Sequence, residues 1–282
     1  MAAPGVAAPV VATPGEAASR AASDPGYRFA RALARAGPRP AGSAAERRAH
    51  ARVERRFRAA GLRVGHDRFR VPGRGRSRNV VGIHDTPARC LVVLVAHTDS
   101  VPPAPGADDN ASGVGTLVAL APRLRSIRPV CDVWLIATGA EERPYTWQAD
   151  HLGARAAVPR VRRRARDLRF VLSLDEVGRG RTFHLRSPVR AQRRGVERRI
   201  VRAGRGAVRW VPDAGSGNSD HREFALAGLP AAKLGVPDDP CRHTACDTPA
   251  RLQPRTFVLV RAIVERLLSQ ASSSAGGSGR ER

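Results

Sequence analysis

Residues 90–113 read CLVVLVAHTDSVPPAPGADDNASG, and they join a strongly apolar run to a loop that carries neighbouring carboxylates. The run at 90–96 has the length and composition of one buried strand. Asp108 and Asp109 follow within a loop of small residues, where adjacent carboxylates repel each other unless cations or water stabilise them. The stretch predicts a buried strand that is followed by an acidic site.

Three further apolar runs, at 133–138, 169–174 and 229–236, resemble the first. Helical stretches separate them, and continuous apolar runs of this length predict strands buried on both faces of a largely parallel sheet. Shorter strand-like pieces precede these runs at 62–71 and 78–83.

Helices are predicted before and after this core. The first covers 26–37 and the second covers 43–61, where Ser43 and Glu46 have the spacing of a capping box. A last helix is predicted at 256–268, because its apolar residues recur at helical spacing.

The organisation predicted is a flexible leader at 1–25, one globular domain at 26–269 and a flexible tail at 270–282. The leader lacks the charged and apolar segments of a secretory signal, which favours the cytoplasm and leaves export open. No run approaches the roughly 20 apolar residues of a membrane span, so we expect no membrane partner.

The formal charge is +24, and Lys233 is the only lysine among 49 basic residues. The arginines are scattered and aromatic residues make up only 4%, so stacking surfaces for bases are scarce. An arginine-codon bias is the favoured explanation, with non-specific attraction to acidic polymers in either case. We therefore expect no specific nucleic-acid partner, and a monomer is favoured.

Acidic or histidine side chains follow each predicted core strand. In order along the chain they are His97 and Asp99, Glu141 and Glu142, Asp175 and Glu176, and finally His243. Ligands of open α/β sheets bind outside the carboxyl ends of the strands, so these residues are expected to converge. Imidazoles and carboxylates suit zinc or a similar ion. Singly, each residue has an ordinary structural explanation, but recurrence at four strand ends favours a metal site.

Six motifs, AHTDS, GADDNASG, TGAEE, SLDEVG, GNSDH and HTACDT, occur in the order found in the metallopeptidase family M28. Over about residues 26–268 the chain resembles this family of zinc aminopeptidases, typified by secreted bacterial leucine aminopeptidases. The resemblance implies a three-layer α/β/α sandwich with a mixed, largely parallel central sheet, as in the zinc-dependent exopeptidase, phosphorylase/hydrolase-like folds. It also implies that 26–269 is a catalytic domain that hydrolyses the N-terminal amide bond of a peptide or small amide substrate.

The same resemblance implies two zinc ions per chain, bridged by Asp109. The remaining ligands would be His97 and Asp175 for one ion, and Glu142 and His243 for the other. It also implies a cis peptide bond between Asp109 and Asn110.

Two acidic residues receive catalytic roles from the resemblance. Glu141 would be the general base that takes a proton from a metal-bridged water. Asp99 would accept a hydrogen bond from His97 and so fix its orientation.

The GNSDH segment is expected to line the substrate pocket with Asn218, Asp220 and His221. Arg242 stands where secreted family members carry a tyrosine, and an arginine could polarise the substrate carbonyl or select a carboxylate-bearing substrate.

Cys241 and Cys246 are close enough in sequence to bridge. A disulfide or two free thiols is favoured over a thiolate zinc knuckle, because such a site needs about four ligands of that kind.

Three alternative functions stay open. A single-zinc glutaminyl cyclase shares the fold, but the complete set of five ligands argues against it. Another amidohydrolase or a carboxypeptidase-like member is the second alternative. A non-catalytic binding protein of the same fold is the third, and the presence of the base and of every ligand argues against it.

Overall fold

The computed structural model describes residues 14–143, 150–164, 167–188 and 194–270. Helices α1–α9 span Pro14–Ala22, Pro25–Ala34, Ala44–Ala59, Gly113–Leu120, Leu124–Ile127, Leu152–Arg164, Arg194–Ala203, His221–Leu226 and Pro254–Gln270. Strands β1–β8 span Arg63–Val71, Gly75–His84, Cys90–His97, Asp132–Thr138, Asp167–Leu174, Phe183–Pro188, Val208–Asp213 and Ala231–Gly235. Within these ranges, no helix has both the length and the apolar character needed to cross a membrane.

The eight strands form one mixed sheet in the order β1-β2-β4-β3-β5-β8-β6-β7. The central strands β4, β3, β5 and β8 are mutually parallel, as are β6 and β7. Antiparallel pairings join β1 to β2, β2 to β4 and β6 to β8. The four core strands predicted from apolar runs are the four parallel central strands, which confirms the largely parallel sheet.

Helices cover both faces of this sheet. Because strand side chains alternate between faces, Val92 and Leu94 of β3 belong to a core shared with α2, α3, α4, α7 and α9. Val93 and Val95 belong to a second core with α6 and α8. This arrangement confirms the three-layer α/β/α sandwich.

The structure differs from the sequence prediction at the predicted leader and in three unpredicted elements. Pro14–Ala22 forms α1, whose Ala21 is buried, so this part of the predicted leader is helical. Positions 1–13 of the leader and 271–282 of the tail lie outside the described residues. Strands β6 and β7 were not predicted, because arginine or proline interrupts their apolar residues and no continuous run forms. Helix α7 was not predicted either, although Val196, Ile200 and Ala203 recur at helical spacing.

Ser43 caps α3 as predicted, and its hydroxyl accepts the Glu46 N–H at 3.1 Å. The carboxylate of Glu46 reaches back to the Gly42 N–H at 2.8 Å instead of to that of Ser43. Its other oxygen accepts the Ser77 hydroxyl at 2.8 Å and the Ala140 N–H at 3.1 Å. Burial is the main cause that raises the pKa of Glu46 to about 8. Glu46 thereby ties α3 to β2 and to the loop before Glu141.

All four cysteines are paired. Cys241–Cys246 spans the loop that carries His243. Cys90–Cys131 was not predicted, since these residues are 41 positions apart and meet only because β3 and β4 are neighbours.

Helices α2 and α4 cross at Gly26 and Gly115, and a methyl group at residue 115 would overlap the carbonyl oxygen of Gly26. We expect Gly115→Ala to lower the free energy of unfolding by about 1–3 kcal/mol through overpacking. Gly195→Ala in α7 is the matched control: nothing lies within 4 Å of its added methyl, so the higher helix propensity of alanine should prevail. Urea unfolding of both variants measures the difference, and equal stability changes would contradict this account of the crossing.

Candidate metal centre

Four loops meet at the carboxyl ends of the parallel central strands. Strand β3 ends at His97, the loop after β4 carries Glu141 and Glu142, and Asp175 directly follows β5. The loop after β8 returns to the same edge and brings His243 to this group. Parallel strands place their carboxyl ends side by side, so residues far apart in sequence become neighbours.

Two triads of possible metal ligands share Asp109. In the first, His97 Nε2 lies 3.0 Å from Asp109 Oδ1 and 3.4 Å from Asp175 Oδ1. In the second, His243 Nε2 lies 3.2 Å from Asp109 Oδ2 and 2.9 Å from Glu142 Oε2. Asp109 therefore directs one carboxylate oxygen toward each histidine. The five residues predicted as metal ligands all lie in these two triads.

The charges of the centre suit a cation. Burial lowers the pKa of His97, but Glu141, Asp109 and Asp175 raise it well above its ordinary value. Asp175 Oδ1 is buried and has no hydrogen-bond partner within the described part of the chain. Its other oxygen, Oδ2, lies 2.9 Å from Lys233 Nζ, so one ligand oxygen stays available. Two imidazoles and three carboxylates are a donor set that zinc accepts.

Asp99 holds the segment that carries the paired glutamates. Its two carboxylate oxygens accept the N–H groups of Glu141 and Glu142, each at 3.1 Å. The sequence placed its carboxylate on His97, but that carboxylate lies 3.7 Å from His97 Nδ1, which is closer to the Asp99 backbone oxygen at 3.2 Å. Asp99 thus contacts the glutamate backbone more directly than the imidazole.

Asp247, to which the sequence assigned no role, holds the bridging turn. Its carboxylate accepts the N–H of Asp108 at 2.8 Å and the N–H of Asp109 at 3.1 Å. The Asp109–Asn110 peptide bond in this turn is cis, as the resemblance implied. The sequence feature that could have indicated this role is the position of Asp247, four residues after His243 in the same motif.

Asp108 points away from the two triads. Its Oδ1 accepts the Gly178 N–H at 2.7 Å, and its Oδ2 lies 3.1 Å from Arg179 Nε. The two adjacent carboxylates of the turn therefore point to different partners. Asp108 pairs with an arginine, whereas Asp109 faces the histidines.

Arg39 supports the loop between β3 and the turn, and its role is not visible in the sequence. Its guanidinium is 1% exposed and donates to the carbonyl oxygens of Thr98 at 2.8 Å, Pro105 at 2.6 Å and Gly106 at 2.8 Å. Burial lowers the pKa of Arg39 to about 10. In a chain with scattered arginines, nothing in the sequence distinguished this one.

The predicted substrate residues lie in two different places. Asn218 and Arg242 line a cavity of about 290 Å³ together with Glu176, Lys233 and other residues. Asp220 and His221 are fully buried instead. Asp220 accepts the Thr138 hydroxyl at 2.6 Å, and His221 Nε2 lies 2.7 Å from Asp213. The structure therefore does not place Asp220 and His221 on the cavity wall, where the sequence placed them, because internal partners engage both side chains.

The family model described as Peptidase family M28 matches residues 79–268 of this chain. Two curated relatives share shorter segments: "Aminopeptidase YwaD" of Bacillus subtilis is 39% identical over 69 residues, and "Uncharacterized protein YfbL" of Escherichia coli is 30% identical over 130 residues. These segments cover 23% and 43% of this chain, and they span only 15% and 39% of the respective relatives.

Solved structures share the fold over most of the chain. BSAP, a zinc aminopeptidase from Bacillus subtilis, superposes with a TM-score of 0.75 at 17% identity and covers 88% of this chain and 94% of its own. A glutaminyl cyclase from Bacteroides thetaiotaomicron superposes with a TM-score of 0.74 at 20% identity and covers 87% and 97%. The backbone alone therefore does not separate the two activities.

Asp247→Asn is expected to weaken zinc binding, because an amide nitrogen would face one of the two backbone N–H groups of the bridging turn. Loss of such an indirect support typically weakens metal affinity by about 10–100-fold. Asp238→Asn, on the exposed cavity rim, is the matched control and should bind zinc as the wild type does. Competition with a fluorescent chelator measures both affinities, and an unchanged affinity in Asp247→Asn would contradict the role given to this carboxylate.

Proposed function

The chain belongs to peptidase family M28, and from this premise we propose that it is a zinc aminopeptidase that removes N-terminal residues from peptides. The observation that carries the proposal is the position of Asp109 between two triads, with one oxygen toward His97 and the other toward His243. A carboxylate in this position can be shared by a pair of neighbouring cations.

Two zinc ions are proposed, held by residues of the two triads. His97, Asp109 and Asp175 would hold one ion, and Asp109, Glu142 and His243 the other. When bound, such a pair supplies a Lewis acid for the substrate carbonyl and lowers the pKa of a water molecule.

Glu141 is proposed as the general base. It is buried, and one of its carboxylate oxygens belongs to a group with ligand atoms of His97 and Glu142 that all lie within 4.8 Å of one another. In this position it can accept the proton of the attacking water as the bond from oxygen to the carbonyl carbon forms. The same carboxyl group then gives that proton to the nitrogen of the leaving amine as the carbon–nitrogen bond breaks.

The polar cavity beside the centre is proposed to receive the N-terminal residue. Arg242 and Arg186 line it, and neither arginine has an ion-pair partner among the described residues. Burial lowers the pKa of Arg242, but Glu176 and the ligand carboxylates raise it above its ordinary value, so this guanidinium stays charged. Substrates with a carboxylate in the first residue would find a counter-charge here.

A single-zinc glutaminyl cyclase is the second candidate, because a cyclase superposes as well as an aminopeptidase does. The two ligand triads favour the peptidase, since intramolecular cyclisation in that enzyme class uses one ion. Other amide substrates remain within the same chemistry.

We expect the zinc-loaded chain to shorten peptides with a free N-terminus and to leave their acetylated counterparts intact. In Glu141→Ala the zinc content should persist while kcat falls by about 10²–10⁴-fold, the usual contribution of general acid–base catalysis. Mass spectrometry of a mixed peptide pool measures the cleavage, and elemental analysis measures the zinc content. Glu265→Ala on α9 is the control for both measurements. Activity in Glu141→Ala within a few-fold of wild type would remove Glu141 from the mechanism, and an unaltered pool with the wild type would contradict the aminopeptidase.

His243→Ala is expected to bind about one zinc ion per chain where the wild type binds two, because the second triad loses its only nitrogen ligand. His84→Ala is the control, since His84 pairs with Val133 at the opposite end of β4. Elemental analysis after gel filtration gives the stoichiometry. Two ions in His243→Ala would exclude this ligand, and one ion in the wild type would favour the cyclase.

A further inference from the structure

His151 lies beside the proposed base. It stands immediately before α6 with a φ of +55°, in the left-handed region that few residues other than glycine adopt. The residue is 3% exposed, so the imidazole lies inside the protein next to the metal centre. Most buried polar side-chain atoms have a hydrogen-bond partner, but Nδ1 of this imidazole has none among the described residues, so the contact of Nε2 is the one that matters.

Two backbone hydrogen bonds fix His151 against the segment that carries the base. The His151 N–H donates to the Glu141 carbonyl oxygen at 2.8 Å, and the Leu152 N–H donates to the Ala140 carbonyl oxygen at 2.9 Å. The main chain of residues 151–152 is therefore held against that of residues 140–141, although the two segments are separated in sequence. Any movement of His151 must also move Glu141.

The side chain of His151 also contacts Glu141. His151 Nε2 lies 3.1 Å from Glu141 Oε1, and both side chains are buried. The contact engages Oε1 of the carboxylate, so the proposed proton transfer would use the second oxygen. A carboxylate with one oxygen hydrogen-bonded cannot rotate freely, so its second oxygen has a defined direction.

Acidic groups lie on the opposite side of the imidazole. His151 Nδ1 is 3.5 Å from Glu223 Oε1 and 3.8 Å from Asp150 Oδ1, and Arg222 lies 2.9 Å from Asp150. Burial lowers the pKa of His151, but Glu141 and Glu223 raise it to about 10. The imidazole therefore stays protonated at neutral pH, and Nε2 is a donor.

We propose that His151 is a positioning residue, which donates its Nε2–H to Glu141 and holds the carboxylate of the base in the orientation that proton transfer requires. The proposal rests on the proposed function, in which Glu141 is the base. His151 touches neither the ligand triads nor the cavity wall in the described residues, so it acts through Glu141 alone. A small misorientation of a catalytic group costs up to about 10²-fold in rate.

The kinetic test compares His151→Ala with His151→Gln, since a glutamine amide can still donate a hydrogen bond to Glu141. With p-nitroanilides of leucine and glutamate as probes, we expect kcat to fall by about 10–100-fold in His151→Ala and by less than about fivefold in His151→Gln, with KM and zinc content unchanged. His66→Gln is the matched control, because His66 Nε2 lies 3.2 Å from Glu54 in a similar pair outside the centre. Unchanged kcat in His151→Ala, or a loss carried by KM or by zinc content, would overturn the proposal.

A spectroscopic test needs no substrate. In protein labelled with nitrogen-15 histidine, the buried Nε2–H of His151 should give a slowly exchanging NMR signal. This signal should disappear in His151→Gln, shift or disappear in Glu141→Ala, and persist in His66→Gln. If Glu141→Ala leaves all histidine signals unchanged, the contact between His151 and Glu141 is refuted. If the wild type hydrolyses no probe, the proposed function fails, and the NMR signal alone then decides on His151.

Discussion

The electrostatic constraint on this structure is the burial of many carboxylates at one edge of the sheet. Asp99, Asp109, Glu141, Glu142 and Asp175 are all at most 5% exposed. Buried like charges repel one another and lose their hydration, so the arrangement is stable only if cations or N–H donors compensate each group. The chain compensates Asp99 with two backbone N–H groups and Asp175 partly with Lys233. Among the described residues, the ion-pair partners of the Asp109 and Glu142 carboxylates are His97 and His243, and there a pair of metal ions would supply the missing positive charge.

The loops around the centre are held mainly by acidic side chains that accept backbone N–H groups. Asp247 holds the bridging turn, Asp99 holds the paired glutamates, and Glu46 holds the residue just before them. Arg39 does the converse by donating to three backbone carbonyl oxygens. Such bonds fix the position of the main chain, and this in turn positions the ligand side chains that project from it. The candidate centre is thus held by hydrogen bonds within several loops, and the sequences of these loops have no apolar pattern.

Local signals and long-range pairings account for what the sequence could and could not predict. The apolar runs at 90–96 and 133–138 identified β3 and β4, and the acidic residues that follow them identified the edge of the sheet where the centre lies. The partners of Asp99 could not be predicted, since they depend on how two loops lie in space. Strand β6 was missed because Arg186 interrupts its apolar pattern, and α1 was missed because its short alanine-rich sequence resembles a linker. His151 was inaccessible for a similar reason: only the backbone pairing with residues 140–141 brings it to Glu141.

Lys233 illustrates how the surroundings of the centre limit the choice of side chain. It is the only lysine in a chain with 49 basic residues, and its ammonium lies 2.9 Å from Asp175 and 3.4 Å from Glu176. The backbone approaches the side chain closely on one side, because a methyl group at Gly235 would come within 3.1 Å of the Lys233 Cε. An arginine carries a wide planar guanidinium with five donors, whereas an ammonium is a compact point charge. Two carboxylate oxygens at different distances around a narrow site match the compact group, so a general preference for arginine does not extend to this position.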